Sequence, residues 1–286
     1  MTPLRKRLIE ELALRGYSDK TKEAYVHAVA CLAAYYGRSP DQIVDEEARS
    51  YLVELHTSGG KAASTLNVAV SGLRFFYKFV LKKPFYHIEQ AMPRVQKAKR
   101  RPKAYTKAEI ERLLTVGCPS PKHRTFLATV YGAGLRLNEA CHLRPEHIDR
   151  SRGQIRVEQA KGNKDRYTVL PEKLLTMRED YWRMYRPEGG WVFPSSRDPK
   201  QPMPDGTAQK IFYNAVARAR LPDKGGIHCL RHSFATHWLE AGLPLFVLKR
   251  MLGHTSLSTT ATYLHVSREH LAKIKSPYDT LHEPQS

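Results

Sequence analysis

Residues 228–265, HCLRHSFATHWLEAGLPLFVLKRMLGHTSLSTTATYLH, decide how the rest of the chain is read. His228 and Arg231 stand three apart, a spacing that puts both on one face of a helix. His254 follows the turn-forming Leu252-Gly253, and Tyr263 comes nine residues later on a Ser/Thr-rich run. A fixed cation and a proton-transfer group looking into the same space ask for an anion.

Upstream, residues 126–134 form an apolar helical run that ends in Gly-Ala-Gly and leads at once into Leu135-Arg136-Leu137-Asn138-Glu139. An arginine set between two leucines directly after a helix-ending turn is pinned and partly buried, and it too needs an anion. Two strand-type runs, 154–157 and 167–170, flank residues 160–166, where Gly162-Asn163 supplies turn chemistry. The expectation is a hairpin with Lys161 near its tip. Thr106-Lys107-Ala108-Glu109 reads as a capping box that opens this domain, with Ile110, Leu113 and Leu114 facing inward. Helices are expected near 172–185 and 207–219, with Trp191-Val192-Phe193 between them as a short strand or a core loop.

The N-terminal part reads as helices alone. Ser18-Asp19 is an N-cap, Tyr25, Val29, Leu32 and Tyr36 recur at helical spacing, and Gly37 closes the run. Ser39-Pro40 starts a second unit with Ile43, Tyr51, Leu52 and Leu55, and a third helix runs from Ser64 to Val80. Its aromatics read as core first and as base-stacking groups second. Residues 91–104 turn to Pro, Lys and Arg with little that is apolar, which marks an interdomain linker. Lys97, Lys99, Arg100, Arg101 and Lys103 there serve either as a solvated tether or as phosphate contacts. The division is therefore 1–90, 91–104 and 105–286, in a chain that is mainly α with a small β-sheet.

The balance of 47 Lys and Arg against 28 Asp and Glu, a net charge of +19, points to a polyanionic partner. No apolar run of about 18 residues offers a membrane span, so DNA is favoured over a membrane surface. Cys31, Cys118, Cys141 and Cys229 are scattered as free thiols of a reducing, cytoplasmic compartment are. Cys229 with His228 and His232 suggests a metal only weakly, because no CxxC or HExxH pattern completes a ligand set, and no metal or other cofactor is expected.

If the anion is a DNA phosphodiester, the transfer builds charge on two nonbridging oxygens, and catalysis is mainly positioning and electrostatic stabilisation. Arg136 and Arg231 supply planar forks, His254 adds a hydrogen bond, and Tyr263 is the nucleophile that forms a 3′-phosphotyrosine. With an ordinary pKa near 10, tyrosine needs cations or a base beside it. His228 is the expected proton acceptor, and Lys161 the donor to the departing 5′-oxygen.

Taken together, Leu135-Arg136, Lys161-Gly162-Asn163-Lys164, His228-Cys229-Leu230-Arg231-His232, Leu252-Gly253-His254 and Thr259-Thr260-x-x-Tyr263-x-His265 closely resemble the tyrosine recombinase, or phage integrase, family. The resemblance spans about 106–271. It implies an all-α, SAM-like core-binding domain followed by an α+β catalytic domain. Its implied catalytic set is Arg136, Lys161, His228, Arg231, His254 and Tyr263, with Glu139 supporting the first arginine. Lys164 competes with Lys161 for the hairpin role, and Lys164 and Arg166 are further expected DNA contacts. Asn138 departs from the small residue more usual there.

The resemblance further implies a site-specific, Xer-like or mobile-element recombinase of the nucleoid. Such an enzyme closes a C-shaped clamp on duplex DNA, works as a homotetramer on two sites, and exchanges strands through a Holliday junction. The C-terminal tail, with Leu271 and Ile274, either docks on a neighbouring subunit or closes its own core. A type IB topoisomerase-like enzyme and a non-cleaving DNA-binding protein of the same fold are the alternatives.

Overall fold

The structure is a computed structural model that describes residues 1–57, 60–83, 92, 94, 103–160 and 164–263. By internal packing the chain divides into two units, Met1–Lys99 and Arg100–Ser286.

The first unit holds helices α1 (Pro3–Leu14), α2 (Asp19–Tyr36), α3 (Asp45–Thr57) and α4 (Ala63–Phe75), the last widening into a π-helical turn over Phe76–Val80. The Ser18 hydroxyl accepts the Thr21 amide at 3.4 Å to start α2, and Gly37 ends it at φ +62°. Helix α1 lies ahead of the Ser18 cap, where no helix is expected from the sequence pattern. Only Leu8 and Leu12 are buried on that helix, and two leucines in a basic segment are a weak periodic signal. At Gly72 an added Cβ would lie 3.1 Å from the Tyr25 backbone, so this glycine sets the close approach of α4 to α2. Phe76 and Tyr77 are buried, and the Tyr77 hydroxyl donates to the Ile43 carbonyl at 2.9 Å. These aromatics are core.

In the second unit, α5 (Lys107–Thr115) opens with the expected capping box: the Glu109 carboxylate accepts the Thr106 amide at 2.7 Å, and the Thr106 hydroxyl accepts the Glu109 amide at 3.2 Å. Next come α6 (Pro121–Gly132) and the short α7 (Leu137–Cys141). An antiparallel sheet of β1 (Ile148–Asp149), β2 (Gln154–Ala160) and β3 (Lys164–Val169) follows in the order β1-β2-β3, with Val157 opposite Arg166. Helices α8 (Glu172–Tyr185), α9 (Asp205–Arg218), α10 (His228–Glu240), α11 (Leu245–Leu252) and α12 (Leu257–Ala261) complete the unit. Of the two options for Trp191-Val192-Phe193, the core loop is found: Val192 and Phe193 are buried, and the Val192 amide donates to the Leu143 carbonyl at 2.8 Å.

Helix α10 is the spine of this unit. Its residues from Cys229 to Leu239 are mostly buried, including the polar Arg231, Ser233, Thr236 and His237, so its surroundings and not amphipathicity hold it in place. The Ser233 hydroxyl accepts the Tyr105 amide at 2.8 Å and ties the helix to the segment that enters the domain. Phe234, Leu239, Leu248, Leu252 and Tyr263 form one apolar cluster that joins α10 to α11 and to the residues after α12. Among the described residues, no helix is long and apolar enough to cross a membrane.

Candidate active site

Glu139, in the first turn of α7, lies at the centre of the candidate site. Its carboxylate accepts the Arg136 amide at 2.7 Å and the Arg136 Nη1 at 2.8 Å. It also receives both terminal nitrogens of Arg166, at 2.8 and 2.6 Å, and lies 3.7 Å from Nη1 of Arg231. Burial alone would raise the pKa of this carboxyl. The hydrogen bonds and charge of Arg166, then those of Arg136, pull it down to about 2.

On their other side the same arginines meet the C-terminal end of α11. Arg166 Nε donates to the Met251 carbonyl at 2.9 Å, Arg231 Nη2 to that of Leu252 at 2.5 Å, and Arg136 Nη2 to that of Gly253 at 3.5 Å. Three successive carbonyls at the negative end of a helix thus hold three guanidiniums, a placement favoured by both hydrogen bonding and the helix dipole. Gly253 makes the turn at φ +62°, where a Cβ would fall 2.6 Å from Arg166 Cδ. The turn delivers His254 to the site.

Arg231 is 1% exposed, and its Nη1 donates to the Gly134 carbonyl at 2.7 Å. Burial and then the neighbouring Arg136 lower its pKa to about 9, which leaves it charged at neutral pH. Its Nη2 also lies 3.3 Å from His254 Nε2, while His254 Nδ1 is 2.9 Å from the Thr260 hydroxyl. Burial first, and then Arg231, push the His254 pKa down to about 4, so the ring is neutral and its Nε2 is an acceptor. Three guanidiniums against one carboxylate leave an excess of positive charge for an incoming anion to neutralise.

Tyr263 is 3% exposed, and its ring is stacked on His254 with centroids 6.3 Å apart. Its hydroxyl lies 3.0 Å from Nδ1 of His232. Burial raises the phenol's pKa, and the opposing charges of Arg231 and Arg136 do not cancel that effect. Residue His228 lies exposed at the start of α10, its ring edge-on to His232 with centroids 4.8 Å apart.

Models of known families match both parts of the chain: the phage integrase family over residues 103–270, and the phage integrase N-terminal SAM-like domain over residues 4–87. The chain belongs to the phage integrase family. Relatives of this integrase-family chain include y4qK of Sinorhizobium fredii, 38% identical over 285 residues, covering 99% of this chain and 91% of the relative. Tyrosine recombinase XerA of Pyrococcus furiosus is 33% identical, over 94% of this chain and 92% of its own. Among solved structures, a lambda integrase tetramer bound to a Holliday junction has the same fold, with a TM-score of 0.71 at 20% identity over 91% of this chain and 76% of that one. A XerH recombinase bound to its difH substrate gives 0.69 at 20% identity, over 89% and 80%.

Within this integrase-family chain, the structure brings together Arg136, Glu139, Arg231, His254 and Tyr263, with His228 at the edge through His232. Lys161 and the hairpin tip lie outside the described residues, as do Lys97, Lys99, Arg100, Arg101, Leu271 and Ile274. Lys103 is exposed, and Lys164 is described only as strand backbone.

Two expectations change. Arg166, expected on DNA, is 7% exposed, and its three guanidinium nitrogens are engaged by Glu139 and Met251. Strand alternation holds the clue, since Arg166 shares its face with buried Thr168, whose hydroxyl donates to the Ala133 carbonyl at 2.8 Å. Second, among the described residues the hydroxyl of Tyr263 meets His232 rather than His228. His232 follows His228 by four residues, so helical spacing already placed it on the same face.

Proposed function

We propose that the protein is a site-specific DNA recombinase in which Tyr263 attacks a phosphodiester and holds the cut strand as a 3′-phosphotyrosine. The observation that carries this reading is the Tyr263 ring, lying against His254 and His232 in the field of Arg136 and Arg231. Arg136, with 29% of its side chain exposed, reaches the surface and is assigned to the phosphate. Arg231 contributes its charge from beneath. Its terminal nitrogens are anchored by the Gly134 and Leu252 carbonyls, which fix the guanidinium in place beneath the site.

The guanidiniums neutralise the nonbridging oxygens as charge builds on them, which is the work a metal does in other phosphoryl-transfer sites. His228 at the surface adds a contact to the same phosphate. Lys161 delivers a proton to the leaving 5′-oxygen. The retained phosphotyrosine conserves the bond energy for rejoining to a second strand.

Family membership, and solved structures of the same fold in complex with recombination sites and a Holliday junction, support duplex DNA sites as substrate and assembly of subunits on them. We assign a homotetramer on two sites, with the all-α unit of residues 1–90 and the catalytic unit of 105–286 gripping one duplex. The tail around Leu271 and Ile274 is assigned to a neighbouring subunit. The linker cations Lys97, Lys99, Arg100, Arg101 and Lys103, together with Lys164, are assigned to the phosphate backbone.

The test is incubation with a nicked duplex carrying the site, in the presence of chelator, followed by a denaturing gel. A protein–DNA adduct that survives detergent and chelator is expected, with Tyr263→Phe binding DNA but forming none. Absence of adduct on a verified site overturns the enzymatic reading. Loss of the adduct on chelation overturns the arginine-based mechanism.

A further inference from the structure

We infer that His232, and not His228, is the catalytic base that takes the phenolic proton of Tyr263. This deepens the reading of Tyr263 as nucleophile and rests on it.

Two histidine rings, His232 and His254, lie against the tyrosine and a third, His228, lies against His232, and geometry separates their roles. The Nε2 of His254 accepts from Arg231 at 3.3 Å and its Nδ1 faces the Thr260 hydroxyl at 2.9 Å, so neither nitrogen is left for a phenol. Among the described residues, His228 reaches the tyrosine only through its edge-on contact with the His232 ring, 4.8 Å between centroids at 83°. Nδ1 of His232 stands 3.0 Å from the Tyr263 oxygen, within proton-transfer distance of the reacting atom. For that nitrogen to accept, the ring carries its hydrogen on Nε2.

The electrostatics agree with this geometry. Burial, then His228 and Arg231, lower the His232 pKa to about 4, so the ring is neutral and able to accept at neutral pH. The Tyr263 phenol is raised by burial despite Arg231 and Arg136, so nearby cations alone do not release its proton. Among the described residues, the titratable and charged groups facing His232 are His228 and Arg231 on its own helix and Tyr263 from the segment after α12. An entering phosphate offsets the arginine charge and makes His232 more basic at the moment it is needed.

In the cleavage step the Tyr263 oxygen bonds to phosphorus and its proton passes to His232 Nδ1. The bond from phosphorus to the 5′-oxygen breaks, and that oxygen leaves with its electron pair and takes a proton from Lys161. Rejoining runs the same transfers backwards, with the His232 imidazolium returning the proton to the phenolate.

The experiment uses the full-length protein and single-turnover cleavage of the nicked duplex as a function of pH. His232→Asn offers an oxygen near the position of Nδ1 but takes no proton, and His232→Gln is the second variant if the first proves unstable on melting. Cleavage about 10² to 10⁴ times slower than wild type is expected. DNA binding stays intact, and the rate climbs with pH where wild type has levelled off. A substrate with sulfur in place of the bridging 5′-oxygen, whose leaving group needs no proton, rescues Lys161→Ala but not the His232 variants. Cleavage within about threefold of wild type with an unchanged pH profile, or rescue of the His232 variants by the sulfur substrate, overturns the assignment. A wild-type protein that forms no adduct instead overturns the nucleophile reading on which it rests.

Discussion

Replacing Glu139 by Gln removes one charge and almost no volume from the centre of the site. The side chain is 11% exposed and holds Arg136 and Arg166, with Arg231 3.7 Å away. A carboxyl held near 2 rather than at 4.5 corresponds to about 3 kcal/mol of stabilisation at neutral pH. Breaking a buried ion pair from one side costs about 3–5 kcal/mol, which agrees. The unfolded carboxyl titrates near 4.5 and the folded one near 2, so the contribution is complete above about 4.5 and fades as pH falls toward 2.

Trp182, Trp191 and Trp238 all lie in the catalytic unit, so tryptophan fluorescence in urea reports its unfolding without the helical unit. The urea midpoint of Glu139→Gln is expected about 1–2 M below wild type at pH 7. The gap should narrow between pH 5 and pH 3. An unchanged midpoint at pH 7, or a gap that stays constant on acidification, refutes the charge-hub account.

Gly134→Ala forces a Cβ to within 2.5 Å of the Phe234 ring at φ +61° and disturbs the carbonyl that holds Arg231; a loss of about 1–3 kcal/mol by urea titration is expected, with slower adduct formation. Arg166→Met should lower stability by about 3–5 kcal/mol yet leave the salt dependence of DNA binding unchanged, whereas loss of a phosphate contact reduces the log–log slope by about 0.9. His232 and His254 are each held neutral with pKa values near 4, against 6.5 for the free side chain. The unfolded chain therefore takes up protons first: their contribution is whole above about 6.5 and is lost as pH falls toward 4, so the melting temperature should drop across that window. A melting temperature that stays flat there in wild type counts against buried neutral histidines.

Much of this was legible in the chain itself. Spacing placed His228 and Arg231 on one helical face, Ser18 and Gly37 bounded α2, and Thr106 and Glu109 opened α5, because caps and periodicity are local and depend on neighbours within a few residues. Family likeness rests on the same short motifs. What the tertiary structure alone decided is which charges meet. Arg166 read as a DNA contact because a basic residue beside a hairpin tip has no sequence mark of burial, yet it packs against Glu139 from 27 residues away. Likewise, whether His228 or His232 of α10 faces Tyr263 depends on how the residues after α12 fold back onto that helix. Local patterns set the type and placement of each element. The pairing of buried charge, where a carboxylate and three helix-end carbonyls offset the desolvation of three guanidiniums, is settled only when α7, β3, α10 and α11 close around one space.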